Sequence, residues 1–222
     1  MNISIKDVLQ RIRPFFILYL ILLAACLVIK LIFTKDQIYF AVNTRYNDFL
    51  DTIEPYITDL GNGWTIVAVV VIVVLFNYRI AFLLATTFAI TSLSVQVAKF
   101  FFDAPRPQLY FKDQLSKLHF VKGVEMLSHN SFPSGHTLTA FAAGVVITYL
   151  LKNKSWAYLL IFYGLMVGFS RVYLSQHFFE DVVAGSIMGV VLTIFWIWFI
   201  ENKKFIHSAG WNRGLLTSKV KS

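Results

Sequence analysis

The stretch "HNSFPSGHTLTAFAAGVVITYLL", residues 129–151, decides the fold that we predict. Its second half is an apolar run of the kind that crosses a membrane as a helix. Its first half is polar, with two histidines, two serines and a Pro-Ser-Gly turn placed where the helix begins. Polar groups at membrane depth are energetically expensive, so their presence here indicates a functional site.

The composition of the whole chain agrees with a membrane protein. Of 222 residues, 57% are hydrophobic and 14% are charged, whereas a soluble domain carries about 25% charged residues. A spanning helix needs about 20 mainly apolar residues, and six segments approach that length. They predict a single domain over residues 1–222, an all-α integral membrane protein built as a bundle of six transmembrane helices. The six predicted spans cover residues 14–33, 61–77, 80–98, 134–151, 155–173 and 178–200.

The segment between the first two predicted spans, residues 34–60, has a different pattern. Apolar residues recur at helical spacing with acidic residues between them. This pattern is typical of an amphipathic helix that lies at the membrane interface. We expect such an interfacial helix in the first extracytoplasmic loop, interrupted near Pro55 because proline disrupts helices.

Glycines four residues apart mark the fifth and sixth predicted spans, in "GLMVG" (164–168) and "GSIMG" (185–189). Small residues at this spacing let helices approach each other closely. We expect these glycines to act in helix packing.

The formal net charge of +8 has to be judged by where the basic residues lie. They cluster at the ends of apolar runs, including Lys219 and Lys221 near the C-terminus, and do not alternate with stacking aromatic residues as in a nucleic-acid groove. We therefore expect a lipid bilayer and a membrane lipid as partners, and no nucleic acid. With six spans both termini share one face, and that face holds 11 of the 20 Lys and Arg residues. This bias predicts cytoplasmic termini and an active site at the extracytoplasmic face of the cytoplasmic (inner) membrane.

Three polar clusters lie on the opposite predicted face. They are "KFFFDAPRP" (99–107), "PSGH" (133–136) and "SRVYLSQHFFED" (170–181). Each is compatible with a simpler role when taken alone, such as interfacial anchoring for Lys99 or Arg106, or an ordinary helix start for PSGH. Charges at membrane depth nevertheless favour a functional interpretation.

The second cluster describes a helix start that suits an anion. Proline in the first turn sacrifices no helical hydrogen bond, and either Ser131 or Ser134 is able to cap the helix. Gly135 lets a ligand approach the backbone, where free N–H groups and the helix dipole attract negative charge. His136 lies one turn into the helix, beside any anion bound there.

The third cluster pairs a histidine with a carboxylate. His177 and Asp181 are four residues apart, which places them on one face of a helix, and Ser175 is its expected N-cap. A carboxylate bonded to one ring nitrogen fixes the tautomer and leaves the other nitrogen free as a base or nucleophile. Glu180 is a competing partner, but we favour Asp181. The alternative is a structural His–Asp pair at a helix end.

Together the clusters supply three cations (Lys99, Arg106 and Arg171), a helix N-terminus and two histidines. Guanidinium groups bind phosphate in a bidentate manner, so this set predicts a phosphate site with an acid and a nucleophile. Histidine and aspartate are also metal ligands, but three fixed cations would repel a dication and no cluster of Cys or carboxylates completes a shell. We therefore expect no metal and no cofactor.

The order of these motifs resembles the signature of the type 2 phosphatidic acid phosphatase superfamily. The sequence has Lys, six residues and Arg-Pro, then Pro-Ser-Gly-His, then Ser-Arg, five residues, His, three residues and Asp. The resemblance covers residues 99–181, and it implies that His177 attacks phosphorus to form a phosphohistidine while Asp181 orients it. It further implies that His136 protonates the leaving oxygen. The groups that would hold the phosphoryl oxygens are Lys99, Arg106, Ser134, the N–H of Gly135, and Arg171.

The resemblance implies an integral-membrane phosphatase of a lipid phosphate or diphosphate. Undecaprenyl diphosphate, phosphatidylglycerol phosphate, phosphatidic acid and lipid A phosphate are all candidate substrates, and the oligomeric state is not predicted. The alternatives are a phosphatase of a small soluble ester and a non-catalytic protein that binds or transports phospholipid. The aromatic and basic segment 108–130 is expected to contribute to substrate choice, with His119 and His129 as surface residues.

Overall fold

The structure is a computed structural model that describes residues 2–216, so the tail lysines Lys219 and Lys221 lie outside the described residues. The described chain is helical, with three short 3-10 helices and no strand. The α-helices are α1 (Ile5–Arg11), α2 (Arg13–Ile32), α3 (Lys35–Asn43), α4 (Asp48–Asp59), α5 (Gly63–Val74), α6 (Tyr78–Phe102), α7 (Pro107–Tyr110), α8 (Gly135–Leu150), α9 (Trp156–Tyr173) and α10 (Phe179–Glu201).

The helices confirm an all-α, multi-pass membrane protein but not the count of six spans. Four helical segments, containing α2, α6, α9 and α10, are long and apolar enough to cross a bilayer. The pair α4 and α5 is bent by 53° and would form a fifth, broken span or a re-entrant loop. The predicted second and fourth spans correspond to α5 and α8, which have only 12 and 16 residues.

Helix α8 lies at the centre of the bundle. Twelve of its 16 residues are buried, and it packs against α6, α9 and α10. A helix that is apolar on all sides belongs in such a position. Because other helices surround α8, its length does not have to match the thickness of the lipid.

Glycines on α10 set the distance between α10 and α8. A Cβ added at Gly185 would collide with the carbonyl oxygen of Ser134, and one at Gly189 would collide with that of Leu138. The close approach predicted from "GSIMG" is thus confirmed, and its partner is the backbone of α8. On α9, Gly164 packs against the Phe141 ring on α8.

The predicted interruption at Pro55 is wrong. The segment forms two helices, α3 and α4, and α4 continues through Pro55 to Asp59. The breaks lie instead where asparagine caps begin new helices: Asn47 accepts from the Leu50 N–H and Asn62 from the Trp64 N–H. A side-chain cap satisfies the free N–H groups of a helix start, whereas one proline removes a single hydrogen bond.

Candidate active site

Backbone hydrogen bonds join the three polar clusters at one end of the bundle. The Ser131 N–H donates to the carbonyl of Ala104 at 2.9 Å, which ties the second cluster to the first. The Ser134 N–H donates to the carbonyl of Asp181 at 2.9 Å, which ties the second to the third. Ala104 and Asp181, which are far apart in sequence, are therefore brought to one site.

The helix start predicted from PSGH is observed, but without a side-chain cap. Ser134 is the N-cap residue of α8, and its hydroxyl pairs with that of Thr137 at 3.0 Å. A Cβ added at Gly135 would meet a Val95 carbon at 4.0 Å and no nearer atom of another described element, so there is open space beside this glycine. An uncapped helix start with free space next to it is suited to bind an anion.

Asp181 is held next to His177. Its Oδ2 atom accepts from the Ser131 hydroxyl at 2.5 Å and from the Phe178 N–H at 2.8 Å. The same oxygen lies 3.5 Å from Nδ1 of His177. Glu180 points elsewhere and pairs with Lys30 and Lys35 at 3.4 and 3.1 Å. The geometry therefore favours Asp181 over Glu180 as the group that orients the histidine.

His177 precedes its helix, and the expectation that it shares a helix face with Asp181 is wrong. Helix α10 begins at Phe179, and Ser175 is not its N-cap. Ser175 instead has a φ of 56°, and its hydroxyl pairs with that of Tyr39 at 2.7 Å. The left-handed residue turns the chain back, so that the His177 N–H donates to the carbonyl of Arg171 at 3.1 Å. This turn places the histidine just before the N-terminus of α10.

The protonation state of His177 follows from its surroundings. The side chain is 1% exposed, and this burial lowers the pKa of His177 well below the usual 6.5. The charges of Arg171, Arg106 and Lys99 act in the same direction. A neutral imidazole keeps a lone pair on nitrogen, which a nucleophile needs.

The same three cations also act electrostatically on His136, which is half-buried at the start of α8. Both histidines therefore lie within the field of one cluster of positive charge. Among residues 2–216, no three His, Cys, Asp or Glu side chains are grouped so as to hold a metal ion. The donors gathered here are suited to an anion.

Arg106 uses most of its hydrogen-bonding capacity within the protein. Its guanidinium donates to the carbonyl oxygens of His129 and Asn130 at 2.9 and 3.4 Å, and to the carbonyl and side chain of Gln176 at 2.9 and 3.1 Å. A guanidinium has five N–H donors, so one remains. The bidentate phosphate contact that the sequence suggested for Arg106 is therefore not available without rearrangement.

Arg171 has more donors free. Its Nη1 donates to the Thr58 hydroxyl at 2.7 Å and its Nη2 to the Gln176 side chain at 3.5 Å. Its Nε is buried and has no hydrogen-bond partner among residues 2–216. A buried donor without a partner is unfavourable, so a bound oxyanion would stabilise this position.

Two residues at the site were not predicted. Gln176 contacts both arginines, and Thr58 reaches Arg171 from α4. Neither belongs to a spacing pattern that indicates chemistry. The only feature of the sequence that pointed to Gln176 was its position directly before the expected nucleophile.

His119 is not the surface residue that the sequence suggested. Its Nε2 lies 2.9 Å from both carboxylate oxygens of Asp51, and its ring stacks on Tyr46 with centroids 3.8 Å apart. The ring therefore attaches segment 108–130 to α4. His129 is exposed as expected, with its Nδ1 3.3 Å from Asp103.

An all-helical bundle that spans a membrane contains a buried histidine that lies 3.5 Å from a carboxylate and within the field of three cations. This combination defines a class of protein: a membrane-embedded phosphoric ester hydrolase. The family model described as "PAP2 superfamily" matches residues 80–205, more than half of the chain. The chain belongs to the PAP2 superfamily.

Relatives and solved structures agree with this assignment. An undecaprenyl-diphosphatase from Sulfolobus acidocaldarius is 28% identical over 200 residues, which are 84% of this chain and 89% of that protein. The bacitracin transport permease protein BcrC of Bacillus licheniformis is 36% identical over 86 residues, only 39% of this chain and 41% of that protein. The crystal structure of a transmembrane PAP2-type phosphatidylglycerolphosphate phosphatase from Bacillus subtilis has a TM-score of 0.64 and 28% identity, covering 88% of this chain and 98% of that one.

Proposed function

We propose that this protein removes the terminal phosphate of a membrane lipid phosphate or diphosphate through a phosphohistidine intermediate, without a metal ion. The observation that carries the proposal is the environment of His177. The imidazole is buried and neutral, Asp181 lies 3.5 Å from one ring nitrogen, and three cations act on the ring. This combination suits a nitrogen nucleophile directed at a phosphoryl group.

In the first step, the second ring nitrogen of His177 forms a bond to phosphorus as the bond from phosphorus to the lipid oxygen breaks. His136, which takes up a proton when the negatively charged phosphate binds beside it, donates that proton to the lipid oxygen, which leaves as an alcohol or as a lipid monophosphate. Asp181 stabilises the positive charge that develops on the His177 ring. Negative charge on the equatorial oxygens is matched by fixed donors, chiefly Arg171, Lys99 and the start of α8.

In the second step, water replaces the histidine. His136, now neutral, accepts a proton from the water as the new P–O bond forms and the N–P bond breaks. Inorganic phosphate leaves, and both histidines return to their initial states. Dividing the reaction into two displacements lets one pair of histidines serve as acid and then as base.

A lipid substrate is favoured over a soluble ester by the surroundings of the site. An apolar cavity of about 680 Å³ lies between α2, α3, α9 and α10. Its wall includes Val172 and Val182, the neighbours in sequence of Arg171 and Asp181. A cavity of this size and character suits a hydrocarbon chain. The names of the relatives from Sulfolobus acidocaldarius and Bacillus subtilis refer to lipid substrates.

The test is phosphate release by the purified protein in detergent, measured against undecaprenyl diphosphate, phosphatidylglycerol phosphate, phosphatidic acid and lipid A phosphate. We expect release from at least one of them, inhibition by vanadate, no effect of chelators and faster turnover of long-chain than short-chain substrates. His177→Ala should be inactive, whereas His207→Ala, at the opposite end of α10, should remain active.

Activity that survives in His177→Ala, or that depends on an added divalent ion, would contradict the mechanism. Equal turnover of soluble esters would favour the soluble-substrate alternative, and no release from any ester would favour a binding or transport protein.

A further inference from the structure

We propose that Gln176 is a positioning residue that holds Arg106 and Arg171 at the spacing one phosphoryl group requires. The inference rests on the proposed phosphate site and extends it to a variable position of the third motif. Gln176 directly precedes His177 and is 3% exposed. It lies between the two arginines and contacts both of them.

The side-chain oxygen of Gln176 is shared by the two guanidinium groups. It accepts from Arg106 at 3.1 Å and from Arg171 at 3.5 Å. The backbone adds two further bonds: the Gln176 carbonyl accepts from Arg106 at 2.9 Å, and its N–H donates to the carbonyl of Arg171 at 3.0 Å. One neutral acceptor thus holds two like charges together without cancelling either of them.

The other end of the amide fixes its orientation. Its Nε2 donates to the carbonyl of Glu125 at 2.8 Å, so the oxygen must point toward the arginines. Arg106 reaches the same segment through the carbonyl of His129. Residues 125–130, the arginines and Gln176 therefore form one hydrogen-bonded unit. A change in this segment would be transmitted to the groups that hold phosphate.

If Gln176 positions the two arginines, position 176 requires an uncharged hydrogen-bond acceptor. If Gln176 only fills space, any side chain of similar volume should serve. A carboxylate at position 176 would still accept from both guanidinium groups, but its negative charge would compete with the phosphate. It would also lose the bond to Glu125, because a carboxylate has no N–H. A methionine would keep approximate length and volume but would lose all side-chain hydrogen bonds.

The experiment compares Gln176→Met and Gln176→Glu with the wild type, using inhibition by vanadate as the measure of oxyanion binding. We expect vanadate to bind about tenfold more weakly to Gln176→Met, as for the loss of hydrogen bonds to charged groups, and weaker still to Gln176→Glu. The matched control is Gln114→Met, since Gln114 is exposed and its side-chain oxygen accepts from Lys117, away from both arginines. It should leave vanadate inhibition unchanged.

A merely structural role would lower the melting temperature and the amount of folded enzyme, but would not change the inhibition constant of the folded fraction. Unchanged vanadate inhibition in both Gln176 variants would overturn the proposal. The rise in melting temperature caused by vanadate gives the same comparison without turnover. Failure of the wild type to release phosphate would therefore count against the proposed function, whereas an equal vanadate shift in wild type and variants would count against Gln176.

Discussion

Arg106 and Arg171 have the same side chain, but their surroundings give them different tasks. Arg106 donates four hydrogen bonds to Gln176 and to the carbonyls of residues 129 and 130. Arg171 makes two, and its buried Nε has no partner in the described part of the chain. Arg106 therefore secures the local structure and supplies positive charge, whereas Arg171 is the better candidate for a bidentate phosphate contact.

Lysine substitution should distinguish these two tasks, because lysine keeps the charge but lacks the planar fork. We expect Arg171→Lys to lower kcat/KM about 100-fold, from the loss of charged hydrogen bonds to the phosphate, with a small change in melting temperature. Arg106→Lys should lower both kcat/KM and the melting temperature, since segment 125–130 loses its guanidinium bonds at His129 and Asn130. The measurements are initial rates and thermal unfolding in detergent. Equal effects of the two variants on both quantities would rule out the division of tasks.

The burial of His177 predicts how stability depends on pH. Its native pKa lies well below 6.5, whereas in the unfolded chain the imidazole takes up a proton as the pH falls through about 6.5. The unfolded state then binds more protons, so the free energy of unfolding decreases as the pH falls. This contribution amounts to about 1.4 kcal/mol at one pH unit below 6.5.

His177→Asn removes this titration and keeps every other ionisable group. We expect the wild type to lose more thermal stability than His177→Asn between pH 7.5 and pH 5.5. The measurement is the melting temperature of both proteins in the same detergent across that range. A constant difference in melting temperature would show that His177 does not remain neutral in the folded protein.

At the scale of single residues, the sequence predicted which side chains could carry the chemistry. It did not predict which residues support them by hydrogen bonds. Motif spacing selected His177, Asp181 and the arginines, because the residue types and their order carry the chemistry. It could not select Gln176 or Thr58, whose contacts depend on how segment 125–130 and α4 come to rest against the site. Such contacts are tertiary, and no local pattern encodes them.

Among the elements, α8 and α10 matter most, because their contact positions the helix start that we propose binds phosphate. Gly185 lies against the Ser134 carbonyl, and Ser134 in turn donates its N–H to the Asp181 carbonyl. The start of α8 is therefore held against α10 at the level of the proposed nucleophile. Any added volume at this contact has to move backbone, which is costlier than moving a side chain.

Gly185→Ala should separate the two helices. Forcing extra volume into a packed contact costs about 1–3 kcal/mol, and here the displaced group is the first turn of α8. We expect a lower melting temperature and a loss of activity of more than about tenfold. Gly210→Ala is the matched control, since among residues 2–216, apart from its chain neighbours, no heavy atom lies within 4 Å of a Cβ at that position. Full activity and stability in Gly185→Ala would mean that the contact does not set the site geometry.

Hydropathy located the six apolar segments. It did not predict the lengths of those helices whose extent depends on packing against other helices. Helices α5 and α8 are short because α5 joins α4 at a 53° bend and α8 is enclosed by other helices. An apolar run reports that a segment avoids water, but not whether lipid or protein surrounds it. Similarly, Pro55 alone predicted a helix break, but the boundaries of α4 and α5 are set by the capping residues Asn47 and Asn62.

The whole molecule has two distinct ends. The proposed site lies at one of them, where α8 and α10 begin. At the other, Ile3 bonds to Asn202 through its N–H at 2.8 Å, so both described ends of the chain lie together. The loop between α8 and α9 belongs to this second end, because Leu150 terminates α8 there. The proposed site and the ends of the described chain therefore lie at opposite ends of the molecule. The distribution of Lys and Arg residues predicts that the end with the chain termini is cytoplasmic.

Cysteine labelling can test that orientation directly, because Cys26 is the only cysteine in the chain. In a Cys26→Ser background, Ser116→Cys places a thiol on the exposed segment that follows Phe111, which packs on Phe178 at the same end as the proposed site. Asn153→Cys places one in the loop at the opposite end. A membrane-impermeant maleimide added to intact bacterial cells should label position 116 at once and position 153 only after the cells are permeabilised. Both variants should retain activity, since neither side chain contacts the site. The reverse labelling pattern would place the phosphate site in the cytoplasm, where the excess of basic residues would have to face outward against the usual preference for positive charge inside.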